Sequence, residues 1–401
     1  MASRAGAVVQ ATGVNDLSFN QIATILTDIT QQATGQKVLS PQNTAQFVSV
    51  ATTALKNGYD PVLNAISQIL GRTIFSIRPY NRKFAGIQVS EQKWGSITRK
   101  LQISDSDWEE DKSMELVDGQ SIDQWVVKKP NVLETHFYGA NTYAKHITIF
   151  KNQLDNAFSG PDQFANFISM QLSNANDQIE QAHETLARST IANFVTGKIA
   201  GDTGNVIHLV TEYNTATGSS LTPETALTPA NFPYVMKWIT GRIKTICDFL
   251  TERSIQYHIN VTGKPVARHT PYRMQKIYLS SGMENLAQTT VYADVFHDSL
   301  LRLADHESVN FWQSIQNPYS VEATPIYMQA DGTLAEASAQ ISQNNLFGVI
   351  FDEEALGYTV VNRYTLSTGM NAAGSYSNIF FHFTDRYWND FTENGIVLLM
   401  D

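Results

Sequence analysis

The sequence is poor in several residue classes that particular functions require. Its 401 residues contain a single cysteine, Cys247, so no disulfide can form within the chain and no zinc site can be built from several thiolates. No apolar run approaches the ~20 residues of a membrane-spanning helix, and Met1 to Asn15 lack the apolar core of a signal peptide. These absences favour a protein made and used in solution in a reducing compartment, without contact with a membrane.

Charged residues are also scarce. They make up 16% of the chain, whereas roughly a quarter is usual for soluble domains. The formal net charge is −10, which argues against a tight nucleic-acid binder but leaves loose contact through a locally basic face open. A surface with few charges is typical where neighbouring molecules cover it; the alternative is a simple preference for neutral polar residues.

A search for catalytic motifs gives mostly negative results. The chain has no G-x-G-x-x-G, Walker A or G-x-S-x-G motif. His183-Glu184 is followed by Ala187 where a zinc protease would have its second histidine. Asp305-His306-Glu307 cannot converge on one metal from a regular element, because neighbouring side chains point apart. We therefore expect a non-enzymatic protein with no catalytic residue, metal or cofactor, and Cys247 to be a buried, unreactive thiol.

Most of the chain has recognisable helix and strand patterns. Apolar spacing predicts three short N-terminal helices, the second opened by Ser40-Pro41 and closed by Gly58, the third opened by Asp60-Pro61 and ended by Gly71. A very long helix is predicted over 161–196, ended by Gly197, and another from Phe232 to about Glu252. Strands are predicted at 73–77, 133–150, 206–210, 255–261 and, as one long antiparallel sheet, at 346–351, 358–366, 379–385 and 396–400; helical segments are predicted near 274–279 and 294–303, with loop or strand at 319–329.

The stretch from about Tyr80 to Trp125 has a different character. Its outgoing half is basic and its returning half is acidic, with three tryptophans spaced along it and too few apolar residues to fold on itself. Such an extension is either a solvated surface hairpin or an arm that lies on a neighbouring subunit. For the second interpretation we predict inter-subunit contacts at Arg82, Lys83, Trp94, Arg99, Lys100, Trp108, Glu109, Glu110 and Asp111.

The order of these elements resembles the Hong Kong 97-like fold of tailed-phage major capsid proteins, and most of all the phi-29-like short-tailed phages. The residues that carry the resemblance are Arg82 to Gly86, Lys129 to Val132 leading into Tyr138 and Tyr143, Phe164 to Ile168, Tyr364 to Met370, and Tyr376 to Phe383 with Trp388. The similarity spans roughly residues 62–401.

The resemblance implies an α+β fold with five segments. Residues 1–77 would form an N-terminal arm and short helices, 78–128 the extended loop, and 129–230 a peripheral domain with a spine helix at 161–196. Residues 231–343 would form the axial domain, and 344–401 the C-terminal strands of the peripheral domain. We expect no appended immunoglobulin-like domain after residue 401. We also expect no long charged helical prodomain before the N-terminal arm, and this expectation implies a separate scaffolding protein. We assign no Lys–Asn pair and expect no covalent cross-link.

The function implied is that of a major capsid protein of the virion. It would self-assemble in the host cytoplasm into pentamers and hexamers, with a scaffolding protein and a portal protein, and enclose non-specifically bound double-stranded DNA. Two alternatives stay open at this point: an encapsulin-type compartment shell and, in another class, a cytoplasmic enzyme with an unrecognised site.

Overall fold

A computed structural model describes residues 19–73, 83–89, 97–104, 111–127, 129–138, 140–282, 306–329 and 331–401. The chain divides into two compact units. One comprises the described residues of Met1–Arg82, Asn141–His183 and Val360–Asp385, and the other those of Lys83–Ala140, Glu184–Thr359 and Arg386–Asp401.

In the described residues, α-helices predominate before residue 252 and strands predominate after residue 274, with short 3₁₀ turns at Ala85–Ile87, Lys112–Glu115, Thr203–Asn205 and Tyr272–Met274. The helices are α1 Phe19–Thr34, α2 Thr44–Lys56, α3 Tyr59–Thr73, α4 Lys151–Ala157, α5 Pro161–Gly201, α6 Leu209–Thr217, α7 Pro223–Ala226 and α8 Phe232–Thr251. The strands are β1 Ile97–Ile103, β2 Val132–Tyr138, β3 Asn141–Phe150, β4 Val206–His208, β5 Gln275–Ser280, β6 Glu307–Val309, β7 Val321–Ala323, β8 Ile326–Met328, β9 Leu334–Glu336, β10 Ile341–Gln343, β11 Leu346–Asp352, β12 Leu356–Ser367, β13 Tyr376–Asn389 and β14 Gly395–Leu399.

The first unit packs helices on one face of a three-stranded sheet with the order β12-β13-β3. Strands β13 and β3 are antiparallel, with Ile379 opposite Ile147. Alternate residues of β13 are buried, and Ile379, Phe381 and Phe383 join side chains of α1 to α5 in one apolar core. This alternation is the pattern of a sheet covered on one face only.

The second unit is built on a five-stranded sheet with the order β4-β14-β11-β5-β6, covered on both faces. In β14, Ile396 and Leu398 belong to the core that contains α8, while Val397 and Leu399 belong to the core that contains the last turns of α5. Since both faces are covered, these strands read as continuous apolar runs instead of alternating ones.

Helix α5 is longer than predicted, because Gly197 does not end it. A side-chain carbon at Gly197 would lie 2.5 Å from Cζ of Phe391, so this glycine admits an aromatic ring against the helix backbone. The helix continues for one more turn, to Gly201. The glycine is a packing residue, which its position in the sequence does not distinguish from a helix stop.

Two predicted elements of the second unit are wrong in type. The segment predicted as helical near Met274 to Leu279 is strand β5, whose alternate residues pack on opposite faces of the central sheet. The predicted strand from Ile255 to Val261 is an irregular connection between isolated bridges. Its backbone bonds go to the turn before β14, where Ile259 donates to Phe391 and Gly395 donates to Tyr257.

Several boundaries also differ from prediction. Helix α2 begins after the cap residue Asn43, and α3 runs through Gly71. The predicted strand over 133–150 is divided into β2 and β3, and that over 206–210 turns into α6 after His208. Thr73 belongs to α3; residues 74–77 and the predicted helix at 294–303 lie outside the described residues.

The four C-terminal strands are present, but they do not form one long sheet. Strands β11 and β14 are neighbours in the five-stranded sheet, whereas β12 and β13 are neighbours in the three-stranded sheet. The prediction of four strands is confirmed, and the prediction of a single sheet is wrong.

Candidate assembly surface

Strands β1 and β2 form an antiparallel hairpin with two different faces. Arg99 lies opposite His136, Lys100 opposite Thr135 and Leu101 opposite Glu134. Successive residues of a strand point to opposite sides, so the even positions of β1 share one face and the odd positions share the other. We call these the inner and outer faces of the hairpin.

Lys100 on the inner face meets four charged residues from outside the hairpin. We call the five residues the Lys100 cluster: Lys100, Arg268, Glu354, Asp390 and Glu393. The Lys100 ammonium lies 3.1 Å from Asp390 Oδ2 and 3.1 Å from Glu354 Oε2, and it also donates to Glu393 Oε1. The Arg268 guanidinium lies 3.0 Å from the same Glu393 oxygen. Two cations therefore face three carboxylates at the base of the hairpin.

Burial governs the electrostatics of this cluster. The side chain of Lys100 is 20% exposed, and those of Asp390 and Glu393 are 1% and 8% exposed. Burial alone would lower the pKa of Lys100, but Asp390, Glu393 and Glu354 outweigh it and the pKa is raised. Burial raises the pKa of the Glu393 carboxyl even though Lys100 and Arg268 act to lower it. The ammonium is thus well stabilised, while the Glu393 carboxylate is not.

Further hydrogen bonds attach the same hairpin to the rest of the second unit. On β1, Gln102 Nε2 donates to Glu393 Oε1 at 3.2 Å and accepts from the Arg268 guanidinium. Ser104, directly after β1, donates its hydroxyl to the Pro265 carbonyl at 2.9 Å. On β2, the Val132 carbonyl accepts from Lys264 Nζ at 2.9 Å. The side chains of Lys100, Gln102 and Ser104 are therefore used within the subunit.

The outer face is exposed and is charged at one end and apolar at the other. Glu134 accepts from Arg99 at 3.3 Å and lies 3.2 Å from His136. The apolar end consists of Leu101 (52% exposed), Ile103 (66%) and Val132 (42%).

Residues 111–127, which we call the distal segment, lie between β1 and β2 in the sequence and are exposed throughout. Asp111 caps the short turn Lys112–Glu115 by accepting from the Ser113 backbone at 2.9 Å, and hydrogen bonds from Ser113 lower the pKa of that carboxyl. The segment nevertheless exposes a large apolar surface, at Met114 (93% exposed), Leu116 (42%), Val117 (63%), Ile122 (55%), Trp125 (81%), Val126 (60%) and Val127 (79%).

The structure places the predicted contact residues in different settings. Arg99 is on the outer face, Lys100 is in the inner cluster, and Asp111 is at the start of the distal segment. Lys83 is exposed, and its backbone nitrogen donates to Glu184 Oε2 at 3.1 Å. The others, Arg82, Trp94, Trp108, Glu109 and Glu110, lie outside the described residues. Contact with another subunit remains a prediction for the whole set.

Sequence reasoning did not select the exposed apolar residues among its contact residues. Leu101 and Ile103 alternate with polar residues in the sequence, and which face they occupy depends on the pairing with β2. The run Trp125-Val126-Val127 did carry a usable signal, because three large apolar residues in a row stand in an otherwise polar and acidic stretch.

A second exposed surface is the uncovered face of the three-stranded sheet in the first unit. Four rings stack across its strands: Tyr364 on His382 at 4.8 Å between centroids, His382 by Phe380 at 6.2 Å, and Phe380 by His146 at 5.3 Å. The neighbouring Leu366 is 56% exposed. An aromatic face of this kind is unusual on a surface that stays in water.

The described part of the chain also lacks groups of metal-ligating residues and membrane-spanning helices. Within it, no three histidine, cysteine or carboxylate residues are grouped as metal ligands require, and no helix is both long and apolar enough to cross a bilayer. Cys247 is buried in α8, and burial raises the pKa of its thiol to about 11, which keeps it from acting as a thiolate nucleophile.

Comparison with known proteins identifies the kind of molecule that presents these surfaces. The family model of the Phi29-like phage major capsid protein matches residues 22–399. No curated protein is similar enough in sequence to match.

Solved phage structures share the fold. A chain of the Staphylococcus phage Andhra capsid is 12% identical with a TM-score of 0.52, and covers 77% of this chain and 82% of its own. A chain from the structure of the head fiber and inner core protein gp22 of native bacteriophage P68 is 10% identical with a TM-score of 0.52, covering 80% and 85%. At these identities, the likeness is one of fold.

Proposed function

The chain belongs to the Phi29-like phage major capsid protein family. From this premise we propose that the arm formed by the β1–β2 hairpin and the distal segment joins one copy to the next. The predictions of a Hong Kong 97-like fold and of a major capsid protein that forms the phage head are confirmed. The protein is a structural component of the virion, and the alternative of an enzyme with an unrecognised site is wrong.

The proposed contact is made by the outer face of the β1–β2 hairpin and the distal segment, which dock together on a neighbouring copy. The observation that carries this proposal is the apolar exposure of the distal segment, where Met114, Trp125 and Val127 are each at least 79% exposed. A lone soluble protein rarely leaves such a surface uncovered. In a shell each copy has neighbours on all sides, so another copy is always available to cover it.

The arm corresponds to the extended loop, 78–128, together with strand β2. In the same assignment, residues 129–230 and 344–401 form the peripheral domain, and 231–343 form the axial domain around five-fold and six-fold axes. The subunits make pentamers and hexamers in the host cytoplasm, guided by a separate scaffolding protein and joined to a portal protein. The family resemblance supports these assignments.

Double-stranded DNA is the proposed content of the head. The net charge of −10 argues against tight binding of phosphates and so supports loose, non-specific contact. The alternative of an encapsulin-type shell is set aside, because the family is one of phage capsid proteins. Particles isolated from infected cells should contain nuclease-protected double-stranded DNA; particles free of DNA would contradict the proposed content.

Assembly of variants tests the arm contact. Trp94→Ala with Trp108→Ala, the two tryptophans predicted from sequence to anchor the arm, should prevent shell formation while the subunit stays folded. Negative-stain microscopy scores the shells, and circular dichroism of the unassembled chain checks folding. Normal heads from the double variant would refute the contact at those tryptophans.

A further inference from the structure

We propose that Lys100 is a positioning residue that fastens the root of the arm to its own subunit. By holding the inner face of the β1–β2 hairpin, it sets the direction in which the outer face and the distal segment are presented to a neighbouring copy. The importance of that direction for assembly rests on the proposed function, but the fastening itself lies within one chain and can be measured separately.

Adjacent residues of β1 serve different purposes: one faces outward and the other binds its own subunit. Arg99 and Lys100 are adjacent basic residues, yet the side chain of Arg99 is 57% exposed and that of Lys100 is 20% exposed. They point to opposite faces because a strand has a period of two. Only Arg99 is therefore placed to meet a partner, and Lys100 is committed to its own subunit.

One ammonium joins the hairpin to two separate connections of the body. Glu354 lies in the turn between β11 and β12, while Asp390 and Glu393 lie between β13 and β14. A two-stranded hairpin is only marginally stable by itself in water. Its order therefore depends on this attachment, together with the bonds made by Gln102.

The charge balance shows why Lys100 matters more than its partners. With Lys100 present, the cluster contains two cations and three carboxylates, and Lys198 also acts electrostatically on Asp390. Removing the ammonium leaves three carboxylates with Arg268 as the remaining cation of the cluster. Partly buried like charges repel, so the carboxylates should move apart and the hairpin should separate from the rest of its subunit.

The test is hydrogen–deuterium exchange on the full-length, unassembled chain. Lys100→Met keeps the aliphatic stem and removes the charge. It should speed amide exchange in peptides covering 97–104 and 132–138 at least tenfold, while peptides covering β11 and β14 exchange as in the wild type. Lys100→Arg should restore much of the protection. Arg99→Met is the matched control on the outer face and should leave exchange in the hairpin unchanged.

A second measurement is the critical subunit concentration for shell assembly, which hairpin exchange does not directly report. Lys100→Met should raise this concentration although the Lys100 side chain is bound within its own subunit, whereas Arg99→Met should act through the proposed contact alone. If the hairpin exchanges no faster in Lys100→Met, the proposal is overturned.

Should Lys100→Met fail to fold, Gln102→Leu provides the milder test. It removes hydrogen bonds to Glu393 and Arg268 and keeps the charges, and it should still speed exchange in the hairpin alone. Unchanged exchange in that variant counts against the proposal. Two results together would separate the proposals. If the hairpin exchanges fast in Lys100→Met but distal-segment variants assemble normally, the proposed role of Lys100 is supported and the proposed docking is refuted.

Discussion

Trp125→Ala is the sharpest perturbation of the proposed contact. Trp125 is 81% exposed in the distal segment, so its side chain contributes little to the stability of the isolated subunit. We expect the variant to fold and melt like the wild type, and to assemble only at a much higher concentration.

The size of the effect follows from the exposed area. A tryptophan side chain can bury up to about 250 Å², and an exposed fraction of 81% leaves about 200 Å² for a neighbour to cover. At about 25 cal/mol per Å² this area corresponds to about 5 kcal/mol as an upper limit. Alanine retains part of the contact, and ordering the loop costs free energy, so about 2 kcal/mol should be lost. That loss would raise the critical concentration for assembly about thirtyfold.

The assay is a concentration series followed by light scattering, with microscopy of the products and the scaffolding protein at a fixed ratio. Ser121→Ala, an exposed polar position in the same segment, is the matched control and should assemble as the wild type does. A critical concentration for Trp125→Ala within a factor of two of the wild-type value would refute the reasoning, because it would mean that Trp125 stays in water in the shell.

Three further predictions concern the interior of the second unit. Gly197→Ala should lower the urea midpoint by the equivalent of about 1–3 kcal/mol, because its new carbon would lie 2.5 Å from Cζ of Phe391 and the gain in helix propensity is only about 1 kcal/mol; a raised midpoint would contradict this packing. The Cys247 thiol, with a pKa of about 11, should react slowly with thiol reagents up to pH 9 unless denaturant is present, and rapid labelling of the folded chain would contradict its burial. Burial raises the pKa of the Glu393 carboxyl from its ordinary value of 4.5, so the folded chain favours the protonated form. The stability of wild type relative to Glu393→Gln should therefore fall as the pH rises from 4.5 in parallel urea titrations. A relative stability that instead rises with pH would show that Lys100 and Arg268 outweigh burial.

The elements that sequence predicts well are those whose pattern is local. Helix α8 has apolar residues at steps of three and four, and its predicted span agrees with Phe232–Thr251 to within one residue. Strand β5 was mistaken for a helix because Ile277-Tyr278-Leu279 is a short apolar run without a period. Its type is set by the pairing of Ile277 with Ile350 and Tyr278 with Val349, residues some seventy positions later in the chain.

The candidate site divides in the same way. Composition alone indicated an arm that cannot bury its own surface, and the structure shows exposed apolar residues on it. The sequence could not show that Lys100 is bound within the subunit while Arg99 is exposed. This difference depends on partners such as Asp390 and Glu393, which are nearly three hundred residues away. A basic run reads as one surface in a sequence, whereas a strand divides it between two faces.

The scarcity of charge and the exposed apolar arm have a common explanation in the need for assembly to be selective as well as strong. A shell closes correctly only if misplaced subunits can leave, so each contact must be weak enough to reverse. Apolar residues such as Met114, Val117 and Trp125 lie at separate points along the distal segment and would offer several modest contacts in place of one strong contact. In the proposed docking, the Lys100 cluster would act in the opposite way, because it would hold the hairpin in one direction and reduce the entropy lost on docking. Weak contacts could then be selective, because the hairpin would be ordered before it met its neighbour.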